Sequence, residues 1–367
     1  MAETYYLYTQ GLSVGHHGVP LIQNIQLSLK KGEILTLIGP NGAGKTTILK
    51  SLIRQLEPLG GVVYLDGKEM NGISPKELSK KLSVVLTDRV RPELMTCEDV
   101  VATGRYPYTG RFGVLSEGDR QKVQEAMKLV HIQELSDRDF LHTSDGQKQR
   151  VMLARAICQE PDIIVLDEPT SFLDMKYKLE FLSILQQMSR TRNLSVIMSL
   201  HELDLAGRIS DQIACVKGDR IDRFGTPEEI FSDGYMQKLY QMTTGSYDER
   251  TGNLELEAVK GIPKVFVLSG NGSGTALYRR LQREGVPFVA GVLWENDLDY
   301  PSAKALAAEV VSVKAFSRVD QRTLKRAKEL MDTCEKVICT LDPGQTGEFY
   351  QEFKELLAYA KEKLCTR

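Results

Sequence analysis

Alternating apolar and polar residues open the chain. The stretches "YYLYTQGLSV" (residues 5–14) and "LIQNIQLSLK" (residues 21–30) predict short, half-buried strands joined by the turn "GHHGVP". A continuous apolar run follows in "EILTLIG", and residues 45–56 place apolar side chains at helical spacing. The pattern predicts an antiparallel lead-in followed by a buried strand, a glycine-rich loop and a helix.

The middle of the chain combines helical patterns with two further apolar runs. Residues 96–141 are mostly of helical type, with a break at "GRYPYTGRFG" where Gly and Pro interrupt the pattern. The runs "DIIVLDE" and "LSVIMSLHE" are linked by helical stretches, which is typical of buried parallel strands. We therefore predict a mostly parallel sheet with a helical lobe inserted at about residues 90–142.

A second domain follows a polar, glycine-bearing stretch at residues 243–263. Strand and helix patterns alternate again from "KVFVLSG" onward. We predict a first domain of residues 1–255 and a smaller, Rossmann-like α/β domain of residues 256–367. The length of 367 residues also favours two domains, because single cores rarely grow beyond about 250–300 residues.

Composition indicates which kinds of partner and which cellular compartment to expect for this chain. The net charge of −2 gives no basic excess for neutralising nucleic-acid phosphates, so we expect no nucleic-acid partner. No apolar run reaches the ~18–20 residues of a membrane-spanning helix, and the first residues lack a signal-peptide pattern, so we expect a cytoplasmic chain. The six cysteines form no CxxC pair, which favours reduced structural thiols over a zinc site.

The segment "GPNGAGKTT" fits the phosphate-loop pattern G-x-x-x-x-G-K-[ST] between the predicted strand and helix that this loop requires. Glycines let the backbone wrap around phosphates and direct its N–H groups toward an anion at a helix N-terminus. Lys45 is predicted to reach the β and γ phosphates, Thr46 to hold Mg²⁺ and Thr47 to donate to the phosphates. The alternative is a glycine turn that matches by chance. The predicted phosphate-binding residues are Gly39, Pro40, Asn41, Gly42, Ala43, Gly44, Lys45, Thr46 and Thr47.

Two further strands end in groups suited to hydrolysis. In "IIVLDEPT", Asp167 and Glu168 follow an apolar run, so both carboxylates are predicted at the carboxyl end of a strand, beside the phosphate loop. Asp167 is predicted to hold Mg²⁺ through water, and Glu168 to act as the base for the attacking water. His201 ends the next strand and is predicted to hold water and Glu168 in line with the γ phosphate. A lone histidine would more often be structural.

The segments "GPNGAGKTT", "TSDGQKQR", "IIVLDEPT" and "SFLD", followed by His201, resemble the ATP-binding subunit of an ABC transporter over roughly residues 1–245. The resemblance implies the P-loop ATPase cassette fold, ATP as the nucleotide, and a dimer in which two copies sandwich two ATP molecules. It implies that Asp174 is the acid of a loop crossing the dimer interface. The signature residues that would face the partner's ATP are Ser144, Asp145, Gly146 and Gln147. Without the resemblance, two simpler interpretations apply. Ser144 or Asp145 would be the N-cap of one helix, and Asp174 would be the N-cap of another.

Four positions depart from the family pattern. In the signature, usually written LSGGQ, Thr143 and Asp145 stand at the first and third places, and Asp145 puts a carboxylate near a triphosphate unless it faces solvent or a cation. Thr87 replaces a glutamine that touches Mg²⁺, so the metal contact there is predicted either to be lost or to run through water, and Asp88 is a candidate to compensate. His16 stands where the family stacks an aromatic ring on adenine, and imidazole stacks less broadly. The alternative for His16 is a polar hairpin turn.

The lobe segment "TCEDVVATGRYPYTGRFG" is similar to importer cassettes that serve ferric siderophores, haem and cobalamin. This similarity implies an integral membrane permease, a substrate-binding protein, and a peripheral location on the cytoplasmic face of the inner membrane. Arg105 and Tyr106 are predicted to face the permease. Two alternatives stay open: a non-transport ABC ATPase acting on ribosomes or DNA, and a bifunctional protein with an enzymatic C-terminal domain.

The predicted C-terminal domain has a weaker glycine motif. Gly270, Gly272 and Gly274 lie between a predicted strand and helix, but the motif lacks the lysine of a phosphate loop. The next predicted strand ends in "ENDLD", whose acidic side chains would lie at the same edge of the sheet. A ligand-sensing site, a structural or dimerising module and a catalytic site are the three interpretations.

Overall fold

The computed structural model describes residues 5–86, 94–110, 112–232, 234–341 and 351–360. The chain divides into two compact units, Met1–Tyr235 and Met236–Arg367. No helix in the described ranges combines the length and the apolar character needed to span a bilayer.

The first unit contains eleven strands and eight helices within the described ranges, and a ninth helix lies at the division between the units. The strands are β1 Leu7–His16, β2 Val19–Ile25, β3 Ser28–Leu29, β4 Ile34–Ile38, β5 Gly60–Leu65, β6 Lys68–Glu69, β7 Leu82–Val85, β8 Ile163–Asp167, β9 Ser195–Ser199, β10 Gln212–Lys217 and β11 Arg220–Gly225. The helices are α1 Lys45–Leu52, α2 Pro75–Lys81, α3 Cys97–Ala102, α4 Glu117–Leu129, α5 Asp145–Cys158, α6 Met175–Arg192, α7 Leu203–Ile209, α8 Pro227–Ile230 and α9 Tyr235–Leu239.

Two sheets organise this unit. One has the order β11-β10-β4-β9-β8-β7 and is parallel except for the β10–β11 pair. Strands β4, β8 and β9 are buried along their whole length, as expected for parallel strands that are covered on both faces. The other sheet is antiparallel and follows the path β2-β1-β5-β6, with β3 on β1. The predicted cassette fold, with its antiparallel lead-in and mostly parallel sheet, is confirmed.

Helix α1 packs between the two sheets. Its residues Ile48 and Leu52 share one buried cluster with Leu7 of β1, Leu37 of β4 and Val165 of β8. Fully burying an aliphatic side chain of this size stabilises a fold by about 1.5–3 kcal/mol. The start of α1 is therefore held rigidly at the carboxyl end of β4.

Helices α3, α4 and α5 pack together as the predicted helical lobe. The position of Arg105 in this lobe contradicts the prediction that it faces a permease. Its side chain is buried, donates to Asp119 (Nε–Oδ1 2.9 Å) and Glu160 (Nη1–Oε2 3.0 Å), and lies under the ring of Tyr108. A buried guanidinium requires such partners, so Arg105 is a structural tie within the lobe. Tyr106, in contrast, is exposed.

The second unit is a three-layer α/β fold. The strands are β12 Ser246–Asp248, β13 Asn253–Glu255, β14 Val265–Leu268, β15 Phe288–Trp294, β16 Glu309–Val313 and β17 Lys336–Cys339. The helices are α10 Thr275–Arg283, α11 Tyr300–Leu306, α12 Gln321–Thr333 and α13 Gln351–Ala360. A parallel sheet runs in the order β16-β15-β14-β17. Residues of α10 and α11 share one core cluster with the sheet, and residues of α12 and α13 share another. The Rossmann-like layering follows from these two clusters.

The hairpin β12–β13 clusters with the second unit, whereas the sequence placed it in the first domain. Glu255 explains the difference, because its buried carboxylate accepts from Arg279 of α10 (Nη2–Oε1 2.6 Å) and from Ser302 of α11 (Oγ–Oε1 2.8 Å). A buried carboxylate without such partners would be strongly destabilising. These bonds fasten the hairpin to α10 and α11.

In the glycine-rich loop at β14–α10, carboxylates of the chain itself accept hydrogen bonds from several backbone N–H groups. Asp299 is fully buried and accepts from the backbone N–H groups of Gly274 (2.8 Å) and Thr275 (2.9 Å) and from the Thr275 hydroxyl (2.8 Å). Asp297 accepts from the N–H of Asn271 at 3.0 Å. Two carboxylates of the chain itself therefore occupy the place where a phosphate would bind in an open loop of this kind.

We expect Asp299→Ala to destabilise the second unit by about 3 kcal/mol, because buried N–H groups would lose a charged acceptor. The single tryptophan of the sequence, Trp294, lies in this unit, so denaturant unfolding followed by tryptophan fluorescence reports on it. Glu335→Ala is the matched control, since its carboxylate is exposed and makes only a 3.9 Å ion pair. An Asp299→Ala midpoint equal to that of the control would contradict this role.

Candidate functional site

The phosphate-loop segment requires glycine at two close approaches. Gly39 follows β4 with φ 147°, and a Cβ atom there would lie 2.3 Å from the carbonyl oxygen of Val216. Gly44 is left-handed, with φ 96°, and a Cβ atom would lie 2.7 Å from Cδ1 of Ile22. At Gly39, a side chain would displace the backbone of β10, and at Gly44 the left-handed φ disfavours any residue that has a Cβ atom. Gly44 occupies the N-cap of α1 and supplies no side-chain cap.

Lys45 is held inside the loop that precedes it. Its side chain is buried, and its ammonium donates to the carbonyls of Gly39 (2.8 Å) and Pro40 (3.1 Å). Burial lowers the pKa of Lys45, while the carboxylates of Glu168 and Asp167 act in the opposite direction. The result is a desolvated cation that faces two anions, an arrangement suited to binding phosphate.

A cavity of about 330 Å³ opens in front of this loop. It brings six of the nine predicted loop residues together with Glu168 and His201, and it adds Leu21 of β2, which the sequence did not single out. The other three predicted loop residues, Gly39, Pro40 and Ala43, are not part of the lining. Its lining residues are Leu21, Asn41, Gly42, Gly44, Lys45, Thr46, Thr47, Glu168 and His201.

His16 lies beside the same loop. It ends β1, and its Nε2 is 3.3 Å from the hydroxyl of Thr47 on α1. The imidazole is exposed, so a face of the ring is accessible from solvent. Through this contact, the antiparallel sheet reaches the helix that carries the phosphate-loop threonines.

Oxygen ligands suited to a hard cation converge next to the loop. The Thr46 hydroxyl donates to Oδ2 of Asp167 at 2.9 Å, and the Ser199 hydroxyl donates to Oδ1 of the same carboxylate at 2.7 Å. Asp167 is buried at the end of β8. Hydroxyl and carboxylate oxygens are the ligands that Mg²⁺ prefers, so Thr46 and Asp167 fit this ion. Thr87 and Asp88 lie outside the described residues.

Glu168 and His201 meet across the ends of β8 and β9. Oε1 of Glu168 is 2.5 Å from Nε2 of His201. Glu168 adopts a left-handed backbone with φ 48°, and its N–H donates to the Ser199 hydroxyl at 2.9 Å. Ser199 therefore contacts both acidic residues. Sequence reasoning missed it because it sits inside the apolar run that predicts β9.

The predicted signature residues begin α5 and do not line the cavity of their own chain. The Ser144 hydroxyl accepts from the N–H of Gln147 (3.3 Å), and the Gln147 side chain accepts from the N–H of Ser144 (3.0 Å), which forms a capping box. Asp145 faces Lys148 at 4.0 Å, so its charge has a cation nearby. The surface of these residues is open to another molecule.

Asp174 caps α6, where it accepts from the N–H of Tyr177 at 3.0 Å. The preceding residues 171–173 connect it to the strand end that carries Glu168. Phe172 within this connection and Met175 after the cap are exposed, by 51% and 71%.

Comparison with known protein families gives two matches. A family model described as ABC transporter matches residues 22–171. A second, described as the MJ0874 family, matches residues 288–366.

Three relatives extend these matches. An uncharacterized ABC transporter ATP-binding protein of Methanocaldococcus jannaschii, MJ0873, is 42% identical over 289 residues, which are 78% of this chain and 99% of that protein. The probable siderophore transport system ATP-binding protein YusV of Bacillus subtilis is 36% identical and covers 64% of this chain and 85% of its own length. The cobalamin import ATP-binding protein BtuD of Halobacterium salinarum is 29% identical, over 86% of this chain and 81% of its own length.

We compare the chain with one of the solved structures that are similar to it in fold and sequence. It is a dimeric, post-hydrolysis state of the ATP-binding cassette MJ0796 bound to ADP and Pi. The TM-score is 0.54 and the identity 26%, over 60% of this chain and 98% of the solved chain.

We expect Lys45→Ala to weaken ATP binding about 100-fold, because two charge-assisted hydrogen bonds to phosphate, worth about 1.5 kcal/mol each, would be lost. Titration with a fluorescent ATP analogue measures the change. Lys50→Ala on the same helix is the control, since Lys50 does not line the cavity. Equal affinities for the two variants would remove Lys45 from the nucleotide site.

Proposed function

The chain belongs to the ATP-binding proteins of ABC transporters, and from this premise we propose that it drives import of a metal chelate through a membrane permease. Proteins of this family are ATPases, and this chain is one of them. The observation that carries the assignment of its catalytic residues is the 2.5 Å contact between Glu168 and His201 at the cavity that holds Lys45.

Glu168 is the base for hydrolysis. Its carboxylate lies at the cavity wall with one oxygen on His201, so the carboxylate has a fixed direction. The attacking water forms a bond to the γ phosphorus, the bond from this phosphorus to the oxygen of ADP breaks, and the water proton passes to Glu168. His201 orients Glu168 and the water, because its imidazole lines the same cavity.

ATP is bound by the loop from Gly39 to Thr47. Lys45 contacts the β and γ phosphates, and the N-terminus of α1 adds backbone N–H groups and a favourable dipole. Thr46 and Asp167, which contact each other at 2.9 Å, would hold Mg²⁺, and this ion would supply positive charge that offsets the charge of the phosphates. His16 contacts Thr47, and its imidazole ring stacks on the adenine of the bound ATP.

The active form is a dimer that encloses two ATP molecules. Ser144, Gly146 and Gln147 of one copy face the γ phosphate bound by the other, and Lys148 offsets the charge of Asp145 at that surface. Asp174 and the exposed Phe172 lie on the facing surface. The dimeric state of the similar MJ0796 cassette supports this arrangement.

The transported molecule is a ferric siderophore, haem or cobalamin, and the chain works peripherally on the cytoplasmic face of the membrane. Support comes from the relatives named for siderophore transport and cobalamin import. An integral permease and a substrate-binding protein complete the system, and exposed Tyr106 of the helical lobe contacts the permease. The second unit has a structural role, because its glycine loop is filled by Asp297 and Asp299.

We expect Glu168→Gln to lower the ATP hydrolysis rate at least ~100-fold while ATP affinity changes little, because the amide cannot accept the water proton. Phosphate release and nucleotide titration measure the two quantities. Glu180→Gln on α6 is the control, since that carboxylate makes only a 3.9 Å surface ion pair. Turnover at the wild-type rate in Glu168→Gln would rule out the assignment of the base.

We also expect the Glu168→Gln protein to change from monomer to dimer when Mg-ATP is added, because blocked hydrolysis preserves the closed state. Light scattering after size exclusion measures the mass. Adding Ser144→Glu should abolish the dimer through repulsion of the γ phosphate. Ser116→Glu is the matched control, because Ser116 also forms a capping box, at the start of α4. A protein that binds ATP and stays monomeric would contradict the sandwich.

A further inference from the structure

We propose that Lys178 and Glu202 form a positioning pair that holds His201 against Glu168. The proposal rests on the proposed hydrolysis at Glu168 and goes beyond it by naming two residues that act through the histidine. Neither residue lines the cavity, so neither is expected to touch the nucleotide.

The carboxylate of Glu202 does not cap the helix that follows it. Glu202 follows His201 in the chain and occupies the N-cap position of α7, yet its side chain makes no capping bond. It instead accepts from the hydroxyl of Thr170 (Oγ1–Oε2 3.0 Å) and from the ammonium of Lys178 through the other oxygen. A local cap is thus replaced by two bonds to a different part of the chain.

These bonds place a second tie beside the Glu168–His201 contact. Thr170 is buried and lies two residues after Glu168, and Glu202 lies one residue after His201. On the other side of the contact, Ser199 already joins the same two segments through the N–H of Glu168. The contact between Glu168 and His201 therefore lies between two hydrogen bonds that join the same two segments. One is made by Ser199, before the histidine, and the other by Glu202, after it.

Lys178 gives the second tie its strength. The side chains of Lys178 and Glu202 are 21% and 27% exposed, so solvent screens this pair less than a surface pair. Burial raises the pKa of Glu202, but hydrogen bonds from Lys178 and Thr170 outweigh burial and hold this pKa below its usual range. The carboxylate stays charged and keeps both donors.

The first turn of α6 is a firm support for Lys178. Tyr177 packs its ring against the guanidinium of Arg150 on α5, at 4.3 Å, and Asp174 caps the helix. Thr170 precedes the connection 171–174 and Lys178 follows it, so a single carboxylate fastens both ends of that connection. The segment predicted to cross the dimer interface is thereby linked to the backbone next to His201.

The first test compares steady-state ATP hydrolysis of Lys178→Met and Lys176→Met. We expect kcat of Lys178→Met to fall about tenfold with KM for ATP unchanged, because the histidine is misplaced while binding groups are intact. Lys178→Arg should restore most of kcat. Lys176→Met is the matched control, since Lys176 lies on the same turn, is 73% exposed, makes a 3.9 Å ion pair with Glu180 and lies 5.5 Å from the ring centroid of Tyr177. Equal kcat values for the Lys178→Met and Lys176→Met proteins would overturn the proposal.

The second test does not depend on turnover. The sequence contains five histidines, so the imidazole ¹⁵N resonances of nucleotide-free protein can be resolved, and those of His201 can be assigned by their loss in His201→Gln. We expect the His201 resonances to shift in Lys178→Met and in Glu202→Gln, and to stay unchanged in Lys176→Met. Unchanged His201 resonances in Lys178→Met would overturn the proposal. Wild-type activity in Glu168→Gln would instead refute the proposed base and leave this comparison decisive.

Discussion

Parallel pairing of β4, β9 and β8 is the constraint on which the rest of the site depends. Asp167 is in register with Ser199, and Ser199 is in register with Leu37, so the three strands end at one level of the sheet. Hydrogen bonds between parallel strands fix this level for all three at once. The phosphate loop, the two acidic residues and the histidine follow from it, because each occurs within a few residues of a strand end.

This register brings the charged groups of Lys45, Asp167 and Glu168 close together. Lys45 is desolvated, which lowers its pKa, and the carboxylates of Glu168 and Asp167 act in the opposite direction by favouring its charged form. The left-handed backbone of Glu168 costs about 1–2 kcal/mol. The bond from its N–H to Ser199 offsets part of that cost. Strain of this kind is typical of functional positions, and the Glu168 carboxylate lies against His201.

The sequence predicted the strands of the site well, because buried parallel strands read as continuous apolar runs and the phosphate loop has a strict spacing. It failed where a side chain depends on distant partners. Arg105 lies among glycine, proline and tyrosine residues, which favours an exposed loop, yet its side chain is buried. Its guanidinium pairs with Asp119 and Glu160, which lie 14 and 55 residues away in the sequence. Lys178 and Glu202 likewise look like ordinary polar residues until α6 brings them together across 24 positions. Local patterns carry no information about such pairings.

The two glycine-rich loops of the chain show why a strand, a glycine loop and a helix are insufficient evidence for phosphate binding. At β4–α1, the N-cap Gly44 has no side chain and the next residue supplies a buried cation. At β14–α10, the corresponding donors of Gly274 and Thr275 are taken by Asp299, which lies after the neighbouring strand β15, at the N-cap of α11. A phosphate could enter there only by displacing a buried carboxylate and accepting its repulsion. The charge that neighbouring residues bring to the helix N-terminus therefore decides which loop can bind an anion from solution and which loop binds a carboxylate of its own chain.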